Sequence, residues 1–397
     1  MGKIGFVLEG GGLRGAYQCG AIKALYENGI RPNVITGTSI GALNGALISL
    51  GKLERLEELY ENFEAEDFFV LEPQIVENLE LEDDLLKQIP QMGRALVGLL
   101  GQGGVDIKPL EGMLEKEAPE EALRKSDIEL GLVTLEIPKV KPVEIFVEDI
   151  PEGQVHDYLL ASAYMPFFKA EERRFVDGGI VDNAPLALLE EKGPFDQIYI
   201  IRSHGGLIKK TGWNRENITV ITPSRKVGRM FNMDKENIKN NLRMGYYDTL
   251  KILQGHQGSY YSFKDLPDLS QLLIDKQVME ELFYGLSTGE GYDYERYYYE
   301  VIIPDLARGL GLGVESSYQQ ILIELLETGG RYLNINPNHV YELEEFLELM
   351  RNGLDEKGFS WSIKEKLSIG VAKYTRGWLG DIENYSLALL DILVKRG

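Results

Sequence analysis

Among 397 residues there is one cysteine, Cys19. An internal disulfide is therefore excluded, and with it the stapled scaffolds of small secreted domains. Cys19 lies in an apolar-periodic stretch between Tyr17 and Ala21, where a small buried hydrophobe is expected. Positive charge is scarce: 42 Lys and Arg stand against 63 Asp and Glu, a net charge of −21. So acidic a chain lacks the basic face of a nucleic-acid binder, and simple electrostatics will not dock it on an anionic membrane. No run of about 18 apolar residues exists, so no transmembrane helix is expected. The first residues pass directly into a strand pattern without a basic segment and apolar core, so no secretory leader is expected either. Phe6 stands where a myristoylation signal needs Ser or Thr. The acidic stretches Glu80 to Asp84 and Glu290 to Glu295 lack the spacing of a calcium loop and read as solvated surface, so no metal site is expected.

What is present is an ordinary globular composition, 44% hydrophobic and 26% charged, at a length that suits two domains. Strand patterns at 4–8, 33–37, 129–135, 143–147, 173–176, 197–201 and 217–222 alternate with helical ones at 15–28, 39–50 and 53–64. Such βαβ alternation implies a mostly parallel sheet with right-handed crossovers. Residues 65–104 mix acids with Phe68, Phe69, Leu96, Val97, Leu99 and Leu100, and read as an inserted, partly helical cap. Beyond about residue 230 the strand patterns disappear. An amphipathic helix at 234–254 carries Ile238, Leu242, Tyr246, Leu250 and Leu253 on one face. Further helical patterns recur at about 269–285, 292–309, 316–328, 338–352 and 361–395. The expected organisation is a domain over 1–230 and an all-helical domain over 231–397.

Three glycine-rich motifs carry the chemistry. Gly37-Thr38-Ser39-Ile40-Gly41 is a G-x-S-x-G pentapeptide at a strand-to-helix corner. A serine there sits in a tight, strained turn with its hydroxyl exposed, flanked by residues small enough to clear it. Gly10-Gly11-Gly12-Leu13-Arg14-Gly15 follows the strand 4–8 and opens a helix. It bares several backbone N–H groups that can hold a developing oxyanion, and the positive end of the following helix adds to their field. Asp177-Gly178-Gly179 places an acid at a strand end in a glycine turn.

With these motifs in this order, and Ala161-Ser162-Ala163-Tyr164-Met165-Pro166 ahead of the acid, the first half of the chain resembles the patatin-like phospholipase family. The resemblance implies a three-layer α/β/α sandwich. It implies lipid acyl hydrolysis of phospholipase A or lysophospholipase type by a serine–aspartate dyad, without metal or cofactor. Ser39 then becomes the nucleophile and Asp177 the base. Gly10 to Gly15 becomes the oxyanion loop, with donors from Gly11 and Gly12 and Leu13 as a further candidate. Arg14 either stabilises charge or braces the loop. Gly10, Gly15, Gly37, Gly41, Gly178 and Gly179 support these turns. The expected partners are a lipid or fatty-acyl ester and, peripherally, a membrane, with a cytoplasmic location.

Several readings compete. Ser39, Asp177 and His204 occur in the chain order of an α/β-hydrolase triad. Against it, the nucleophile follows the second strand, and the oxyanion loop has no histidine. Gly10, Gly12 and Gly15 also spell G-x-G-x-x-G, but the second strand ends in Ile35-Thr36-Gly37-Thr38, with no acid for a ribose. An acyltransferase using the same dyad, and a non-catalytic lipid-binding scaffold, remain as alternatives. Phe68, Phe69, Met92, Leu96, Val97, Leu99 and Leu100 either meet lipid or pack a cap. Tyr260-Tyr261 and Tyr297-Tyr298-Tyr299 are read first as core of the helical domain.

Overall fold

A computed structural model describes residues 2–70, 105–136, 141–164, 175–180, 182–205, 212–270, 273, 294–313 and 315–356. Most of the expected cap (71–104), Met165 and Pro166 of the fourth motif, and the helical patterns at 361–395 lie outside the described residues, as does nearly all of 269–285. The chain divides into two compact units, Met1–Leu253 and Gln254–Gly397.

Among the described residues the first unit is built on a seven-stranded sheet. Its strands are β1 (Ile4–Leu8), β2 (Val34–Thr38), β3 (Glu129–Glu136), β4 (Lys141–Phe146), β5 (Phe175–Asp177), β6 (Gln197–Ile201) and β7 (Ile218–Ile221). The order is β4-β3-β2-β1-β6-β7, with β5 paired to β3. β1, β2, β3, β6 and β7 run parallel, while β4 and β5 run antiparallel to β3. Strands buried on both faces read as continuous apolar runs, and their side chains alternate between two cores. Phe6, Leu8, Ile35, Tyr199 and Ile201 enter one core with helices α1 (Gly15–Glu27), α2 (Ile40–Ser49) and α3 (Leu53–Glu61). Val7, Val34, Ile198 and Ile200 enter the other with the helix Leu186–Glu190. This is a three-layer α/β/α fold. Because β2 and β6 flank β1, the chain leaves β1 and its neighbours at one end of the sheet, the crevice where open α/β sheets place their sites.

The expected boundary after residue 230 falls in the structure after Leu253, because the helix Lys235–Gln254 packs on α1. The two backbones touch. A Cβ at Gly20 would lie 1.8 Å from the Leu242 carbonyl oxygen, and one at Gly245 would lie 1.9 Å from that of Tyr17. The Tyr17 hydroxyl also donates to Asp248 at 3.1 Å.

Among the described residues the second unit is helical apart from a parallel pairing of β8 (Ser262–Phe263) with β9 (Val340–Tyr341) and an isolated bridge between Gln257 and Phe263. Two-residue strands are too short for alternation to show in sequence. Its core gathers Tyr261, Phe263, Tyr298, Leu322, Leu325, Leu326 and Phe346, which bears out packing roles for Tyr261 and Tyr298. The helix Tyr318–Tyr332 starts with a capping box between Ser317 and Gln320. The buried Glu327 carboxylate takes the N–H groups of Ser259, Tyr260 and Tyr261. Among the described residues no helix is long and apolar enough to cross a membrane.

Candidate active site

Ser39 is the N-cap of α2 and has φ 56° and ψ −128°. A left-handed φ on a residue with a Cβ is strained, and such strain collects at functional corners. The corner closes because Gly41 lets α2 lie against β1; a Cβ there would stand 2.3 Å from the Leu8 carbonyl oxygen. The Ser39 N–H donates to Ser162 Oγ at 2.9 Å, and Ser162 Oγ donates to the Val133 carbonyl at 2.6 Å. Ser162 thus ties the corner to β3.

Sheet register brings Asp177 to Ser39. Thr38, the last residue of β2, pairs with Val133, and Asp177, the last of β5, pairs with Thr134. The two strand ends therefore sit on consecutive rungs of β3, which brings the Ser39 side chain close enough to act on the Asp177 carboxyl. Asp177 Oδ1 also accepts the Gly179 N–H at 2.6 Å. Asp177 is 7% exposed. Burial pushes its carboxyl up to about 6, against the opposing pull of the bonds from Ser39 and Gly179. That value suits an acid that must act as a base near neutrality.

The glycine loop is held on both sides. Gly10 donates its N–H to the Asn183 carbonyl at 3.0 Å and accepts Asn183 Nδ2 at 3.2 Å and Ser203 Oγ at 2.6 Å on its own carbonyl. The Leu13 N–H donates to the Met230 carbonyl at 2.8 Å, so it is already engaged. Arg14 Nε donates to the Gly228 carbonyl at 2.9 Å. Among the described residues, the N–H groups of Gly11 and Gly12 have no hydrogen-bond acceptor.

His204 follows β6, but it faces Glu9. Its Nδ1 lies 3.2 Å from Glu9 Oε2 and 3.0 Å from Ser203 Oγ. Arg202 Nε lies 3.6 Å from Glu9 Oε1. Burial acts to raise the Glu9 carboxyl. The bond to His204, the charges of His204 and Arg202, and the Ser203 N–H outweigh it and hold the acid below the usual carboxylate range. Among the described residues no hydrogen bond joins His204 to Ser39 or Asp177. His156 meets the Ala118 carbonyl at 2.8 Å, and His339 pairs with Glu345. Cys19 is buried, and burial raises its thiol. No cluster of potential metal ligands occurs among the described residues.

Ser39 opens on a cavity of about 90 Å³. Its walls include Gly12, Leu13, Leu43, Leu47, Leu56, Phe63, Phe68, Phe69, Leu110 and Met113. Phe63 and Phe68 stack with centroids 5.1 Å apart. Phe68 and Phe69, expected either to meet lipid or to pack a cap, thus line this space; Met92, Leu96, Val97, Leu99 and Leu100 lie outside the described residues. Ser162, Asn183, Ser203 and Asn44 bond to the site's backbone or line its cavity, yet the sequence singles out none of them for a role. Their only signal is Ser162's place inside the Ala-Ser-x-x-x-Pro motif.

Residues 6–189 match the family model described as patatin-like phospholipase. Over that stretch the chain is similar to the patatin-like phospholipase family. Lysophospholipase nte1 of Aspergillus terreus is 64% identical over 44 residues, 11% of this chain and 3% of the relative. Neuropathy target esterase sws of Drosophila melanogaster is 57% identical over 44 residues, with the same coverage. The chain thus spans only a small part of the length of these curated relatives. Among solved structures, VipD from Legionella pneumophila aligns at a TM-score of 0.39 and 14% identity, covering 98% of this chain and 90% of that one. The type III effector ExoU aligns at a TM-score of 0.36 and 15% identity, covering 94% and 78%.

Proposed function

We propose that this protein is a serine hydrolase of lipid acyl esters, working through Ser39 and Asp177. The observation that carries the reading is the register that sets buried Asp177 beside Ser39, with Ser39 lining an apolar cavity. A serine hydroxyl needs an adjacent base to become a nucleophile. In the proposed reaction Ser39 Oγ attacks the ester carbonyl carbon and its proton passes to Asp177. The carbonyl oxygen becomes an oxyanion between the N–H groups of Gly11 and Gly12. The C–O bond to the alcohol then breaks, and Asp177 returns the proton to the departing oxygen. An acyl–Ser39 ester remains. Water attacks it, Asp177 takes the water's proton and delivers it to Ser39, and the fatty acid leaves.

The cavity supports an acyl chain as the group recognised, because its walls offer burial rather than hydrogen bonds. Relatives named as lysophospholipases support lysophospholipids as the first substrates to try. The chemistry is assigned to residues 1–253, which contain every residue named above.

The test is fatty-acid release from phosphatidylcholine and lysophosphatidylcholine by wild type, Ser39→Ala and Asp177→Asn, each with and without chelator. Release by wild type only, undiminished by chelator, is expected. Equal release by wild type and Ser39→Ala would sink the reading. Adding an alcohol acceptor separates hydrolysis from acyl transfer by product.

A further inference from the structure

Beneath the cavity lies a chain of buried amide and hydroxyl groups that the reaction above does not use. The Tyr60 hydroxyl donates to Asn44 Oδ1 at 2.9 Å. Asn44 Nδ2 donates to the Gly15 carbonyl at 3.1 Å and to Gln18 Oε1 at 3.0 Å. Gln18 Nε2 donates to the Glu9 carbonyl at 2.5 Å. Asn44 and Gln18 are 1% and 0% exposed, and Tyr60 is 6% exposed.

The end points of this chain matter. Glu9 and Gly15 bracket the glycine loop, and their carbonyls are two of the three backbone acceptors, the third being the Ile201 carbonyl 3.4 Å from Gln18 Nε2. Asn44 sits on α2, the helix that begins at Ser39. Gln18 sits on α1, and Tyr60 on α3. Asn44 and Tyr60 also line the cavity beside Ser39. Gly15 leaves room for the convergence; a Cβ there would lie 2.5 Å from Tyr60 Oη and 3.0 Å from Asn44 Nδ2.

We propose that Asn44 is a positioning residue, which with Gln18 and Tyr60 clamps both ends of the oxyanion loop to the helix that carries the nucleophile. This rests on the hydrolase reading above. An oxyanion hole works when its donors are fixed where charge develops, so that little reorganisation occurs during reaction. The glycines themselves supply no rigidity, and their loop needs an outside frame. Asn44 suits the role because its amide accepts from one neighbour and donates to two. Each bond made to it fixes which way the amide points. Burial keeps Tyr60 protonated, so its hydroxyl remains a donor across the working pH range. With its amide and hydroxyl groups turned on one another, the clamp presents little polarity to an acyl chain.

The test uses the full chain, p-nitrophenyl butyrate as substrate and a fluorophosphonate that labels Ser39. Asn44→Leu, Gln18→Leu and Tyr60→Phe are each compared with wild type, with kcat expressed per labelled site. Labelling counts the molecules whose nucleophile corner is intact, so loss of fold and loss of positioning separate. For Asn44→Leu we expect kcat to fall about tenfold or more at a KM within about twofold, less than the ~10²–10³ of deleting an oxyanion donor outright. Tyr60→Phe retains the ring and removes only the hydroxyl, so a folded variant is in hand even if the others unfold. It is expected to lose about threefold or more in kcat, again with KM held. Full labelling with wild-type kcat in Tyr60→Phe and in any folded Asn44 or Gln18 variant would overturn the clamp and leave the hydrolase reading intact. Absence of both labelling and hydrolysis in wild type would instead overturn the hydrolase reading, and the clamp with it.

Discussion

Ser39 and Asp177 are held beside one another by consecutive rungs of β3, close enough for the serine side chain to oppose the rise of the aspartate's pKa, with the carboxylate buried at the end of β5 and the serine at the strained corner after β2. The pairing follows from neighbouring rungs of β3, so it is a property of sheet register rather than of a loop.

The first prediction concerns pH. Burial raises the Asp177 carboxyl to about 6, so kcat/KM should fall as pH drops through about 6 and the base takes up its proton. The same shift has a stability sign. Between about pH 4 and 6 the folded state binds a proton that the unfolded state has released, so stability falls as pH rises through this window. Asp177→Asn removes the cost of the buried charge. It should be inactive yet more stable than wild type, by roughly 1–3 kcal/mol at pH 7, with the gain vanishing below about pH 4. Denaturant melts at pH 4 and pH 7 check this; a less stable variant at pH 7 contradicts it.

The second concerns the oxyanion loop. A Cβ on Gly11 would lie 2.2 Å from Ser203 Oγ and 2.6 Å from Ser203 Cβ. Gly11→Ala must push the loop away from its frame and should cost about 10²-fold in kcat/KM, the scale of one lost oxyanion donor. Ser203→Gly removes both obstructing atoms, so the double variant should recover part of the loss. Steady-state kinetics on the two variants provide the comparison, and no recovery would place the damage elsewhere.

The third separates a dyad from a triad. His204 faces Glu9 and Ser203. His204→Gln should keep activity within roughly tenfold of wild type, whereas a triad histidine would cost on the order of 10⁴ or more. Initial rates on one soluble ester suffice to decide it.

The fourth concerns the cavity. Met113 lines its wall and is only partly buried. Met113→Trp should fill space without emptying the core. KM for an octanoyl ester should rise about tenfold while an acetyl ester is unaffected, since each excluded methylene forfeits about 0.8 kcal/mol. Equal effects on both esters would mean that the acyl chain lies elsewhere.

Much of this site was legible in the sequence because its chemistry is local. A serine between two glycines at a strand-to-helix boundary needs only five adjacent residues to declare itself, and Asp177 stands in a glycine turn at a strand end. Strand and helix patterns in the first half were equally readable, since periodicity is carried by neighbours in the chain. The same logic placed the domain boundary at 230, where strand patterns stop. Gly20 and Gly245 show why the compact unit runs on to Leu253: two helices cross closely there, and no window of sequence contains both.

Packing supplies the partners that come from far along the chain. Leu13 looks as able a donor as Gly11 or Gly12 until the Met230 carbonyl takes its N–H. Arg14 Nε meets the Gly228 carbonyl and His204 Nδ1 meets Glu9, contacts that no window of sequence shows. Ser162 is one residue in a motif until it ties Ser39 to β3. Which residue types stand at the corners of an α/β sheet, and therefore which chemistry is available, can be read from the chain alone. Register and packing decided which backbone N–H groups stay open, because a hydrogen bond forms only between atoms about 3 Å apart, and that proximity is set by the whole fold.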